Sequence, residues 1–164
     1  MGQVVSAKKL RRINFKRAKV VLTGGSFDLL NVGHVRFLKK CKNFGDVLIV
    51  GLADDKNVKE RKGVFRPIIP QKYRAEVLAA LESVVYVFVS RISAYNDKNL
   101  KLIKPDIVII VLEKGKFNKR RKFKKEIESK FPNITVQLLY QSSKTSTTKI
   151  IEKILKVHKL PKIS

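Results

Sequence analysis

Five short apolar runs divide the chain: Lys19-Val20-Val21-Leu22, Asp46 to Leu52, Ser83 to Ser90, Ile107 to Leu112 and Ile134 to Tyr140. The fourth, IVIIVL, has no polar alternation at all. A strand of that kind is buried on both faces, so helices must cover both sides of its sheet. The segments between the runs supply those helices. Val35-Arg36-Phe37-Leu38 opens an amphipathic helix, and Gln71 to Glu82 carries Val77, Leu78 and Leu81 at helical spacing. Leu100 to Ile103 forms a short helix, a basic block carries another to about Lys130, and Lys149 to Val157 forms the last. Strands alternating with helices predict an α/β fold of three layers around a five-stranded parallel sheet with right-handed crossovers. Lys59 to Pro67 shows neither period and reads as a basic loop.

Composition sets the outer bounds. The 164 residues suit one domain, read as a lead-in over 1–18, a core over 19–157 and a basic tail over 158–164. No apolar run reaches the length of a membrane span, and no secretory h-region is present, which implies a cytoplasmic protein. Cys41 is the one cysteine, which excludes an internal disulfide and a cysteine-rich metal site. The net charge of +24 suits an anionic partner: a nucleotide, a nucleic acid or a membrane surface. The lysines are spread along the chain with one dense block, 114–125, and Trp is absent, so a stacking platform for nucleic acid is not favoured. Met1-Gly2-Gln3-Val4-Val5-Ser6 also fits an N-acylation pattern.

The chemistry concentrates around the first strand. Thr23-Gly24-Gly25 follows it and permits a tight turn with exposed N–H groups. Gly33 and His34 fall where a helix begins. Helix N-termini offer unpaired donors and the positive end of the macrodipole, so phosphates bind there. A first-turn histidine adds a ring donor. Asp54 and Asp55 leave the C-terminal end of the second strand, the edge at which open α/β sheets bind ligands, which makes Asp55 a candidate substrate contact. Ser146, Thr147 and Thr148 precede the last helix and present three hydroxyls at its N-terminus.

Gly25-Ser26-Phe27-Asp28-Leu29-Leu30-Asn31-Val32-Gly33-His34 resembles the G-x-F-D-x-x-H-x-G-H signature of the cytidylyltransferase-like nucleotidyltransferases, with Asn31 where the family has its first histidine. Lys62-Gly63 with Arg66-Pro67 resembles the K-G-x-x-R-P loop. Arg74 to Glu82 is similar to R-x-x-V-L-A-A-L-E, and Ser146 to Ile154 to S-T-T-x-I-I-E-x-I. The likeness covers nearly the whole chain and is nearest to the heptose 1-phosphate adenylyltransferase domains. It implies a Rossmann-like fold and transfer of AMP or CMP from ATP or CTP, with Mg²⁺, to a phosphorylated small molecule, and relatives are often homodimers. It implies His34 and Lys62 as catalytic groups. Thr23, Gly24, Gly25, Ser26, Phe27, Asn31, Gly33, Arg66, Arg74, Ser146, Thr147 and Thr148 would bind nucleotide, and Asp28 would orient loop amides, act through the metal or contact substrate. No metal ligand from the protein is implied.

The departures fall on the acceptor side. Lys104-Pro105-Asp106 is kept, but the lysine and two glycines that follow in the heptose enzymes are replaced within Ile110-Val111-Leu112-Glu113. The aspartate before the third strand is Val85, and the acidic segment after it is Arg91-Ile92-Ser93-Ala94-Tyr95. The nucleotide half is kept and the acceptor half rewritten. A sugar phosphate, a polyol phosphate as in glycerol-3-phosphate cytidylyltransferase, and a flavin phosphate as in FAD synthetase all stay open. So does a weakly catalytic nucleotide- or nucleic-acid-binding relative.

Overall fold

The computed structural model describes residues 2–113, 115–140 and 146–158. Its sheet has six parallel strands: β1 (Gln3–Val4), β2 (Val20–Gly25), β3 (Val47–Ala53), β4 (Tyr86–Ser90), β5 (Ile107–Leu112) and β6 (Thr135–Tyr140), in the order β1-β4-β3-β2-β5-β6. The expected count of five fails at the N-terminus. There Gln3 and Val4 pair with Tyr86 and Val87, and Gly2 N–H donates to Ala79 C=O. Two exposed residues on an edge carry no hydrophobic signal, so only the pairing reveals them.

Among the described residues seven helices accompany the sheet: α1 (Ala7–Leu10), α2 (Val32–Lys42), α3 (Asp55–Lys62), α4 (Gln71–Ala79), α5 (Asp97–Ile103), α6 (Phe117–Lys130) and α7 (Thr147–Val157). Strand pleating sends alternate residues to opposite layers. Leu48, Val50 and Leu52 of β3 join Phe37, Leu38 and Leu78 on one side, whereas Ile49 joins Phe88, Leu100 and Ile127 on the other. Cys41 is buried in the first layer, where burial pushes its thiol up to about 12.

Two further expectations are corrected. The supposed basic loop holds α3 up to Lys62 and turns irregular only at Gly63. Asp54 caps this helix by accepting from Asn57 N–H at 2.7 Å. Only Val58 of α3 is buried, so the helix lacks the apolar stripe by which helices are recognised. Nor does the chain turn at Thr23-Gly24-Gly25: β2 runs through both glycines, which pair with Gly51 and Leu52. The turn comes at Phe27 and Leu29, which take φ of 46° and 51°. Gly24 is small for a different reason. A Cβ there would lie 2.5 Å from the Ala94 Cβ, which packs over the sheet at that point.

Candidate active site

In the parallel sheet β2 is flanked by β3 on one side and β5 on the other, so the connections diverge at its C-terminal end. That is the switch point where doubly wound sheets leave a crevice. β2 pairs with β5 only as far as Thr23–Ile109, and a cleft of about 720 Å³ opens beyond it. Gly24, Gly25, Ser26, Phe27, Asp28 and His34 form its inner wall; Arg61 and Lys62 of α3, the 92–95 segment, Glu113, Lys116, Thr147 and α6 as far as Glu126 form much of the rest.

Asn31, the residue that departs from the signature, is the N-cap of α2. Its side chain accepts from Gly33 N–H at 3.0 Å and donates to Leu29 C=O at 3.1 Å. His34 closes the capping box, with Nδ1 accepting from Asn31 N–H at 3.2 Å. An acceptor Nδ1 leaves the proton of the neutral ring on Nε2, the ring nitrogen free of the cap. Phe27 meets the imidazole edge-on at 5.5 Å between centroids. Burial, and then the charge of Lys62, push the His34 pKa down to about 4, against a smaller opposing pull from Asp28. The ring is thus neutral near pH 7 and can donate but not accept at Nε2. The Lys62 pKa is lowered by desolvation and then by Arg66 and Arg61, although the residue keeps an exposed surface.

Several expected nucleotide contacts are engaged elsewhere. Asp28 is buried, and its carboxylate accepts from Ile68 N–H and Ile69 N–H at 3.0 Å and from Arg66 Nε at 2.6 Å. Burial alone would raise its pKa, but these donors outweigh it and hold the carboxyl below its usual range. Arg66, the loop cation, is therefore paired with Asp28. Arg74 is fully buried, not surface-directed: it donates to the carbonyls of Ser26, Ile69 and Ala53 and pairs with Asp55 at 2.7 Å. Asp55 is thereby directed at Arg74, away from the cleft wall. Thr23 is buried in the sheet and donates to Ile109 C=O at 2.9 Å. Of the three C-terminal hydroxyl residues only Thr147 lines the cleft. Ser146 caps α7 by accepting from Lys149 N–H at 3.2 Å, and Thr148 lines a separate groove beside Gly63 to Ile68.

The structure also recruits residues that motif reasoning passes over. Tyr95 sits half-buried where β2 and β5 part. Its hydroxyl accepts from Gly24 N–H at 2.8 Å, satisfying a donor the split would orphan, and donates to Ile109 C=O at 2.9 Å beside Thr23 Oγ1. Burial raises its pKa to about 12, so the phenol stays protonated. Lys116, the N-cap of α6, and Lys119, Arg120 and Phe123 within it line the cleft. Their i, i+3, i+4, i+7 spacing was available in the sequence, but the pattern does not say which way the helix faces.

For Mg²⁺, the donor set fits an ion carried in on triphosphate oxygens: Asp28 is already occupied by Arg66 and two N–H groups, and no cluster of three or more His, Cys, Asp or Glu residues is present among the described residues.

The fold and the cleft define a Rossmann-like α/β protein with an anion-directed crevice at its switch point. The chain belongs to the cytidylyltransferase-like family of nucleotidyltransferases, whose family model matches residues 22–153. It is 36% identical over 158 residues to the bifunctional protein HldE of Geobacter metallireducens, a match covering 96% of this chain and 30% of that protein. It is 40% identical over 144 residues to the FAD synthase of Thermococcus sibiricus, covering 85% of this chain and 95% of that protein. The chain thus spans under a third of the HldE proteins it matches and nearly all of the FAD synthase. Among solved structures, the lipopolysaccharide core biosynthesis protein of Thermoplasma volcanium superposes with a TM-score of 0.62 at 25% identity, over 78% of this chain and 99% of that one. The pantoate–β-alanine ligase of Francisella tularensis, at 15% identity and a TM-score of 0.60 over 98% of this chain and 80% of that one, shares the fold.

Proposed function

We propose that the chain transfers AMP or CMP from a nucleoside triphosphate to a phosphorylated small molecule and releases pyrophosphate. A phosphate oxygen of the acceptor attacks the α-phosphorus. The bond from that phosphorus to the α–β bridging oxygen breaks, and its electron pair leaves with pyrophosphate. The observation that carries this reading is the convergence of His34 and Lys62 on one cleft at the switch point. Neutral His34 donates from Nε2 to a phosphoryl oxygen, and Lys62 supplies a cation where negative charge grows on the leaving group. Bound Mg²⁺ enters with the triphosphate and screens its charge. Gly24 and Gly25 line the cleft with Ala94 and the Phe27 ring packed against them. Asp28 and Arg74 act as positioning residues: they fix the 66–69 segment, the loop after β2 and the start of α3 to one another.

Similarity to HldE favours a sugar phosphate as acceptor and similarity to FAD synthase a flavin phosphate. The reading is tested by pyrophosphate release with Mg²⁺ and ATP or CTP, each against sugar, polyol and flavin phosphates. Release that needs one nucleotide, one acceptor and His34 supports it. Absence of nucleotide binding overturns it.

A further inference from the structure

The acceptor half of the cleft has an unusual balance of groups. Six cations line the cavity: Arg61 and Lys62 from α3, and Lys116, Lys119, Arg120 and Lys122 from α6 and the residue before it. Three carboxylates line it too: Asp28 is paired with Arg66 and Glu126 with Lys130, cations outside the lining, while Glu113 is ion-paired with Lys116 and lies 3.7 Å from Arg120. Lys116 and the neighbouring arginines outweigh the desolvation of Glu113 and hold its carboxyl below the usual range. Among the described residues no carboxylate lies within ion-pair distance of Arg61, Lys62, Lys119 or Lys122. A magnesium–triphosphate complex carries about two negative charges and a phosphomonoester close to two near pH 7, so cationic charge remains after both are seated.

The neutral hydrogen-bonding groups point the same way. Sugar hydroxyls both donate and accept, and a site that reads them needs uncommitted carboxylates or amides. Here each is already taken. Asn57 accepts from Arg61 and donates to Ile92 C=O; Glu126 pairs with Lys130; Ser93 Oγ accepts from Tyr95 N–H. The Tyr95 hydroxyl is used on both sides by Gly24 and Ile109. Beside the Nε2 donor of His34, the charged groups left without a carboxylate partner are cations.

We propose that this chain selects an acceptor bearing a second anionic group, a further phosphate or a carboxylate, besides the phosphate that attacks, and that Lys119, Arg120 and Lys122 bind that second group. The inference deepens the transferase reading and rests on it. It departs from a neutral polyol or flavin acceptor.

The test measures binding to the protein already saturated with Mg²⁺ and a non-hydrolysable ATP or CTP analogue. The probes are a hexose 1-phosphate, glycerol 3-phosphate and flavin mononucleotide against a hexose 1,6-bisphosphate and 3-phosphoglycerate. The expected result is that at least one doubly anionic probe binds roughly tenfold or more tighter than every monophosphate. Lys119→Gln with Lys122→Gln, both surface side chains, should abolish that margin, whereas Lys125→Gln, which removes the same charge outside the cleft, should leave it. Equal affinities, preference for a monophosphate, a margin that Lys125→Gln removes equally, or no binding by any probe would each overturn the proposal. The nucleotide analogue's own affinity is read in the same titration. Its loss would count against the transferase reading, and its retention without selectivity counts against the acceptor proposal alone.

Discussion

The Thr147 hydroxyl donates to the main-chain carbonyl of Asp28, 119 residues earlier in the chain. The bond ties the start of the last helix to the loop that follows the first long strand. The Asp28 carboxylate extends the tie to Ile68 and Ile69. Three sequence motifs are thus joined at one residue. Thr147→Val keeps the shape and leaves that buried carbonyl without its donor, so about 1–2 kcal/mol of stability should be lost in urea unfolding. Nucleotide affinity should fall with it, because α7 is no longer registered against the cleft; unchanged affinity with lowered stability would confine the bond to a structural role.

Asp28→Asn removes the charge opposite Arg66, whose side chain is only 12% exposed. Breaking a buried ion pair from one side costs about 3–5 kcal/mol, and the Asp28–Arg66 contact lies toward the upper end of burial. Equilibrium unfolding should show a loss of at least about 2 kcal/mol, and protease cleavage within 63–69 should accelerate. A variant as stable and protease-resistant as the parent would remove Asp28 from its anchoring role.

His34→Gln should lower kcat by about 10²–10³, the usual effect of deleting one donor directed at a developing negative charge. Nucleotide binding, measured by calorimetry, should weaken much less. Equal losses in both would mean that His34 binds the ground state and the transition state alike.

The same histidine sets a pH dependence. Its folded pKa is about 4 against an unfolded value near 6.5, so between those values the unfolded chain binds more protons. Stability therefore rises with pH through that window and is lost as pH falls from about 6.5 toward 4. Asp28, with its lowered pKa, contributes stability that is lost only at more acidic pH, below its unfolded value of 3.8. Urea midpoints for the parent should fall between pH 6.5 and 4, and His34→Gln should flatten that slope. An identical slope in both proteins would assign it to other groups.

At the sheet's split, Gly24→Ala sets a new methyl against Ala94 and should destabilise by about 1–3 kcal/mol. Ala94→Gly, made in the same chain, should recover part of that loss. A double-mutant cycle with no coupling would show that the two do not pack as described.

Much of this architecture was legible in residues alone. The all-apolar Ile107–Leu112 run forces a two-sided burial, and hence a parallel sheet with helices on both faces. Gly33 and His34 stand at the start of a helix because Asn31 is a favourable cap. Asn31 itself, expected to contact nucleotide, is better accounted for as that cap. The edge strand Gln3–Val4 and the helix Asp55–Lys62 were not legible: the first is too short and the second buries too little for either to leave a periodic trace.

The sequence by itself determined the alternation of elements, the place of the phosphate-directed loop and membership of the family, because burial period and cap chemistry are local and survive in the order of residues. Tertiary structure alone decided which charges face the cleft. Arg66 and Arg74 look like phosphate ligands in sequence, yet Asp28, Asp55 and three carbonyls engage them. Lys119 and Arg120 look like solvated surface, yet they line the cleft. A charged side chain is directed by whatever partner the fold brings within reach, and all but one of those partners lie 19 to 48 residues away along the chain.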